Sequence, residues 1–370
     1  MNRILDSLSP SRPWALFYNL NRPAVEFVSI ASPDPHYQFV SAHDGFSFRF
    51  LYSVICPYNK EERLYLLASS NGLVLCSNSS AFQSKYYVCN PLTKEWVSLP
   101  PPHQTPRAWV LNGFFCESSP SSLTSTSYKV VRIKECRVQP KTNFDLDLFS
   151  SDIGEWSSYK VSSPKEITFL YPFLSSVVCC NGILYWIEGR NRIIAYDLNH
   201  NNNNNKNGGC QCRLIDLPVL GVGKYYGYLW EFEGFISYSR CQSGQLSVWV
   251  LEKYLNRGWV WRLVHKIEIN DILTENFVGR RLKEIIEGGF FRRPAYINLK
   301  PLAFDPVDPN VLILAYGGVQ WYFFGYNMRS RSLQNFRQNC SSRCSLAGEV
   351  FPFVFTPSST TLPPPSWSGT

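Results

Sequence analysis

The chain has 370 residues, 45% of them apolar, 17% charged and 15% aromatic, which is enough apolar material for a large core and too little charge for a disordered chain. Its 36 Lys and Arg against 28 Asp and Glu leave a formal charge of +8, but the basic residues are scattered in short runs, so nucleic-acid binding is not indicated. With 11 Trp, 21 Tyr, 25 Phe, 25 Pro and 22 Gly but only 2 Met, the composition favours short strands joined by turns and excludes a helical bundle.

From the N-terminus, residues 13–18 and 25–30 read as strands, so residues 1–55 are expected to open the main domain, 56–350. No apolar segment of signal-peptide length lies near the start. No run reaches the roughly 18 apolar residues of a membrane span, since the richest, 311–324, is broken by Gly317, Gly318 and Gln320. An intracellular protein of the cytoplasm or nucleus, off the membrane, is expected. The 12 Cys sit mostly in strand-like runs and read as reduced, buried small hydrophobes, with the sequons at Asn78 and Asn339 idle.

The clearest unit starts at residues 64–67, turns at Asn71 and Gly72, and returns through 73–75, a strong hairpin signal. It continues through 86–89, a turn over Asn90, Pro91, Leu92, Thr93 and Lys94, then 96–99 and three Pro, so four strands fit in 36 residues. A second unit is read from 128–133, 144–148 and a turn at 152–154 before Trp156. The first order then recurs: 176–179, Asn181 and Gly182, 183–186, 193–197 and 213–217, again ending in Leu-Pro. Looser copies are predicted over 232–236, 246–250 and 259–261, and over 311–314 and 321–324.

Four-stranded units spaced by roughly 40 to 60 residues predict an all-β fold, a β-propeller of antiparallel blades with irregular repeats. The alternative is two unrelated β-sandwiches. The Asn-rich stretch 200–209 is expected to be a disordered loop between the last two strands of a blade, 280–287 a surface helix stopped by Gly288, and 351–370 a mobile Pro/Ser/Thr-rich tail.

Residues 70–75 and 87–100, with the Asn90-Pro91-Leu92-Thr93 core, resemble the plant F-box-associated β-propeller family. Further matches at 149–156, 180–186, 194–198 and 302–306 carry the resemblance over about 64 to 335, in family order. Asn71, Gly72, Asn90, Pro91, Thr93, Trp96, Asn181, Gly182, Trp186 and Asp197 are the residues of its structural motif, serving turns and inter-blade packing rather than catalysis. The resemblance implies a non-catalytic, protein-binding propeller like the substrate-recognition part of an SCF-type ubiquitin ligase subunit. An N-terminal F-box would dock a Skp adaptor and a cullin; no such segment is read within residues 1–55, so these two partners are expected only if the full gene product carries one. The protein substrate is unidentified.

Little else carries chemistry. The five His, at positions 36, 43, 103, 200 and 265, stand in no nucleophile or zinc-protease spacing. Cys210 with Cys212, and Cys340 with Cys344, lack zinc-module spacing, so no catalytic residue, metal or cofactor is expected. Arg107, Trp109, Tyr225, Tyr226 and Arg240 are the candidate partner-binding anchors on a loop-bearing face. A stand-alone carbohydrate-binding or hydrolysing propeller is the alternative function, motivated by Asp152, Asp197 and Asp305 near turns and by the aromatics.

Overall fold

The computed structural model describes residues 14–18, 30–31, 48, 50–51, 64–79, 83–103, 110–118, 126–134, 140–168, 177–189, 191–198, 210–219, 227–232, 234–254, 258–274, 280, 298–305, 308–317, 321–335, 350–354 and 362. They form an all-β, five-bladed propeller with four antiparallel strands to a blade. Blade 1 holds β3 (Tyr65–Ser70), β4 (Leu73–Ser77), β5 (Tyr86–Asn90) and β6 (Glu95–Ser98). Blade 2 holds β7 (Val110–Ser118), β8 (Thr126–Lys134), β9 (Lys141–Ser150) and β10 (Glu155–Ile167). Blade 3 holds β11 (Val178–Cys180), β12 (Ile183–Glu188), β13 (Arg192–Asp197) and β15 (Arg213–Asp216). Blade 4 holds β16 (Tyr228–Phe232), β17 (Phe235–Gln242), β18 (Gln245–Tyr254) and β19 (Gly258–Glu268), and blade 5 holds β20 (Asn298–Phe304), β21 (Val311–Gly317), β22 (Trp321–Asn327) and β23 (Ser332–Asn335).

The ring is closed by a three-stranded sheet in which β1 (Trp14–Tyr18) pairs with β2 (Ile30–Ala31) and with β24 (Val350–Val354). β24 touches both β20 and β3, and the first strand of each blade touches the first strand of the next, so the chain's two ends lock the circle. This sheet takes in residues 351–354, the start of the segment read from the sequence as tail. Phe351 and Phe353 there pair with Phe17 and Ala15, giving an aromatic-rich segment a strand to join.

Period-2 alternation explains why the inner strands read as nearly continuous apolar runs. Each blade is covered on both faces, so both sets of alternate side chains are buried. On β12, Leu184 and Trp186 pack toward blade 2 while Tyr185 packs toward blade 4. On β8, Tyr128 and Val130 pack toward blade 1, and Val131 and Ile133 toward blade 3. Among the described residues four apolar clusters result, one in each of the four seams from blade 1 to blade 5.

The turns follow from backbone chemistry. Asn71 (φ 44°) and Gly72 (φ 78°), like Asn181 (52°) and Gly182 (75°), put two successive residues in the left-handed region, the geometry a two-residue hairpin demands. A second turn recurs between third and fourth strands. In blade 1, Asn90 Oδ1 accepts from Leu92 N (2.9 Å), the Asn90 carbonyl accepts from Lys94 N (2.9 Å), and Lys94 takes φ 63°. In blade 5, Asn327 Oδ1 accepts from Arg329 N (3.0 Å) and Ser330 N (2.9 Å), with Arg331 at φ 54°.

Several expectations are refined. The strand read over 232–236 is a hairpin: Gly234, at φ 81°, separates β16 from β17, and Glu231 Oε1 accepts from its N–H (2.9 Å). β7, the first strand of blade 2, has no counterpart in the sequence reading, because no Asn-Gly or Asn-Pro turn precedes it and Asn112-Gly113 within it has the composition of a turn. The Asn-rich stretch 200–209 and all but Arg280 of the helix expected over 280–287 lie outside the described residues, and Arg280 is helical. A helix that the sequence reading did not include, Ile269–Thr274, buries Ile272 and Leu273 after blade 4. Before β15, Cys210–Gln211 (β14) pairs in parallel with β10, so blade 2 has a fifth strand lent by blade 3.

Candidate functional site

Up-and-down connectivity gives each blade two unlike ends. Turns between strands one and two, and between three and four, fall at one, here called the turn end. Turns between strands two and three share the other with the links from blade to blade, and this is the connection end. The links 99–109 and 217–227 contain four of the five anchors expected from the sequence. Arg107, Trp109, Tyr225 and Tyr226 themselves lie outside the described residues.

What is described is how the links are rooted. Trp156 Nε1 donates to the Pro100 carbonyl (2.8 Å), and His103 Nε2 lies 3.0 Å from the Trp156 carbonyl, so blade 2 holds the start of the link leaving blade 1. Glu188 Oε1 accepts from Thr168 N (2.8 Å) at the start of the link into blade 3. Its other oxygen accepts from Arg192 Nε (2.8 Å), and Arg192 Nη2 donates to the Glu166 carbonyl (3.0 Å). Arg240, the fifth expected anchor, is only 2% exposed, and its Nη1 donates to the Val219 carbonyl (3.3 Å). It is a root of the link that carries Tyr225 and Tyr226, not an open side chain. Trp261 Nε1 repeats the Trp156 pattern on the Asp216 carbonyl (2.8 Å).

One root is a buried polar network. Arg132 is fully buried and faces Asp147, Nη1 to Oδ2 at 3.1 Å. It donates from Nε to Tyr86 Oη (2.8 Å) and from Nη2 to the Gln83 carbonyl (3.4 Å). Asp147 Oδ1 accepts from Ser158 Oγ (2.7 Å), and Tyr86 Oη donates to Gln83 Oε1 (2.8 Å). The guanidinium carbon stands 5.4 Å from the Tyr86 ring centre and 5.5 Å from that of Trp156. Burial pushes the Tyr86 hydroxyl well up, against the pull of Arg132, so it stays protonated and can donate and accept at once. The network fastens the link over Gln83, at the connection end of blade 1, to the middle of blade 2.

The family-motif residues fall elsewhere. Asn71, Gly72, Asn181 and Gly182 make turn-end hairpins, and Asn90, Pro91 and Thr93 make the second turn type. Trp96 packs edge-on to Tyr87 at 6.1 Å, and Trp186, fully buried, meets Phe144 edge-on at 5.7 Å across the blade 2 to blade 3 seam. Asp197 closes β13 and is exposed. The three acids of the carbohydrate alternative sit on three different blades: Asp152 in the β9–β10 turn, Asp197 after β13, and Asp305 after β20, where its Oδ1 accepts from Asp308 N (3.2 Å).

The titratable groups favour inert packing. Burial pushes the Cys116 thiol up to about 12 and the Cys180 thiol up to about 11, away from the thiolate a nucleophile requires. Among the described residues no group of three His, Cys, Asp or Glu is placed to hold a metal ion, and no helix is long and apolar enough to cross a membrane. The arrangement is suited to holding links at fixed positions. Neither the Arg132 network nor the Glu188 and Arg240 roots were read from the sequence, where only Trp156 carried a signal.

Comparison with known proteins agrees with this architecture. The chain is 30% identical over 213 residues to F-box protein At5g49610 of Arabidopsis thaliana, covering 54% of this chain and 55% of that one. It is 26% identical over 298 residues to F-box protein At1g49990 of the same plant, covering 71% and 63%. The chain thus spans about half the length of several curated relatives it matches. Among solved structures, a mutant Aleuria aurantia lectin in complex with alpha-methyl-L-fucoside aligns at a TM-score of 0.35 and 10% identity, covering 76% of this chain and 79% of the lectin. Residues 47–343 match the family described as F-box protein At3g26010-like, beta-propeller, and the chain belongs to that family of plant F-box protein propellers.

Proposed function

We propose that this propeller is a non-catalytic protein-binding domain, the part of an SCF-type ubiquitin ligase subunit that recognises the substrate, and that it does so with the links at its connection end. The observation that carries this reading is the rooting of successive links by side chains of the following blade: Trp156 on Pro100, Glu188 on Thr168 and Arg240 on Val219. A binding surface needs variable loops on a rigid frame, and fixing each loop at its base lowers the ordering entropy lost when a partner docks. Aromatic and Arg side chains are the anchors such surfaces favour, and Arg107, Trp109, Tyr225 and Tyr226 fall on two rooted links. The site of action is the cytoplasm or nucleus.

The test is affinity purification from plant tissue with the chain and with two variants, Arg107→Ala with Trp109→Ala, and Tyr225→Ala with Tyr226→Ala. A protein retained by the parent chain and lost from either variant, with melting temperature unchanged, is the expected result. Equal recovery by all three would overturn the assignment of the surface. Skp adaptor and cullin are expected only with a gene product that carries an F-box; their absence from such a product would remove the ligase role while leaving the binding surface intact.

A further inference from the structure

The outermost strands of the blades are not alike. β6, β15 and β23 have four residues each, too short to template another strand. β10 has 13 residues, and β14 takes part of its outer edge, Val161 pairing with Cys210 and Ser162 with Gln211. β19 has 11 residues, and among the described residues it pairs only with β18. Among the described residues, β19 is therefore the one long outer strand with no partner on its outer side.

Exposed large apolar side chains gather at that edge and on the strand beside it. Tyr254, Val260, Leu263 and Val264, 38 to 48% exposed, all lie on β18 and β19. A register shift opposite Val248 and Trp249 bulges β19 near Val264, which divides it into a regular half, Gly258 to Leu263, and a half running on to Glu268. Along the regular half, Trp259, Trp261 and Leu263 alternate on one face, with Trp259 edge-on to Tyr185 (6.3 Å) and Trp261 beside Tyr238 (5.9 Å). The charges nearby are unevenly committed. Glu252 accepts from Tyr254 Oη (2.6 Å) and Arg262 Nε (2.5 Å), and Glu268 accepts from Gln245 Nε2 (2.7 Å). Lys253 extends over the Trp259 ring at 5.7 Å, and Lys266 is exposed. Arg262 and Glu252 offset one another as an ion pair, so the charge left beside the regular half of the strand is the ammonium of Lys253, in a chain of formal charge +8.

We propose that the edge of β19 between Gly258 and Leu263 is a docking site for an extended, acidic segment of a partner protein, which adds to blade 4 as an outer strand. Main-chain hydrogen bonds supply affinity, side chains alternating toward Trp259, Trp261 and Leu263 supply selectivity, and a carboxylate near Lys253 sets the direction. β14 on β10 is the precedent within the same molecule: a short segment arriving from outside the blade to cap a long outer strand. The site is separate from the connection-end surface and does not depend on it.

The probe is a phage-displayed library of random 12-residue peptides selected on the immobilised chain. The expected outcome is enrichment of peptides with alternating apolar residues and at least one Asp or Glu. Their binding should fall at least tenfold in Val260→Asp and in Leu263→Asp, be unchanged in Leu92→Asp at the turn end, and protect amides 258–263 from hydrogen exchange. If Leu263→Asp melts early, Val260→Asp alone carries the comparison. Failure to enrich an acidic alternating pattern, or enriched peptides that bind both Asp variants as well as the parent, would overturn the proposal. So would a dimer of the parent chain that the Asp variants dissociate, since the edge would then belong to a second copy.

Discussion

The two ends of the blades are built by different chemistry. At the turn end the hairpins marked in the sequence reverse the chain in two to four residues, and their geometry is local: a left-handed pair at Asn71 and Gly72, and a side-chain cap from Asn90 to Leu92 N. At the connection end the chain is held by side chains far away in sequence, as when Arg132 reaches the Gln83 carbonyl 49 residues back or Trp156 reaches Pro100 56 residues back. Local turns absorb a substitution at the cost of one strained left-handed residue, about 1–2 kcal/mol. Buried polar roots do not, because removing one partner strands the other in a low dielectric.

The contrast can be broken most severely at Asp147. Asp147→Ala leaves the Arg132 guanidinium buried without its carboxylate and is expected to cost about 3–5 kcal/mol in urea unfolding. The double variant Arg132→Met, Asp147→Leu, which removes both charges, is expected to recover most of that loss; a double variant as weak as the single one would show that shape and not charge governs the seam. Glu188→Ala comes next, at about 1–3 kcal/mol, because Thr168 N and Arg192 lose their acceptor while Arg192 still reaches the Glu166 carbonyl. Trp156→Phe keeps an aromatic ring but deletes the N–H bonded to Pro100 together with part of a buried indole, and is expected to cost about 1–2 kcal/mol in the same assay.

The turn end sharpens the comparison from the other side. Lys94 sits at φ 63°, so Lys94→Gly is expected to raise stability by about 0.5–1 kcal/mol, read as a higher urea midpoint. A loss would mean that the Lys94 side chain does more than complete a turn. The smallest effect is expected from His265, half-buried and 3.2 Å from Tyr326 Oη. Burial, with Arg331 adding to it, holds its pKa below the ordinary 6.5. The unfolded chain then binds the proton first, so stability is complete above about 6.5 and falls as the pH drops through the lower folded value. His265→Gln should flatten that slope in melts between pH 7 and pH 5.

This division also decided what was legible from the sequence. Asn71 with Gly72, Asn90 to Lys94, and Asn181 with Gly182 announce turns because the φ they need selects few residue types. The period-2 apolar runs on both sides of them then place the strands. β7 escaped because no such turn precedes Val110, and the break at Gly234 because two strands separated by two residues resemble one. The roots at Arg132, Glu188 and Arg240 depend on register between strands and on which blades adjoin, and no spacing along the chain encodes that. Arg240 was selected as an exposed anchor because a lone Arg in a strand-like run carries no sign of its burial.

The most direct measurement is site-specific photocrosslinking in plant extract, with benzoylphenylalanine replacing Trp109 or Tyr225 at the connection end and Thr93 or Ser330 at the turn end. Adducts to a common protein from positions 109 and 225, and none from 93 and 330, are the expected result. Adducts from 93 and 330 instead, or from none of the four, would contradict the assignment of partner binding to the rooted links.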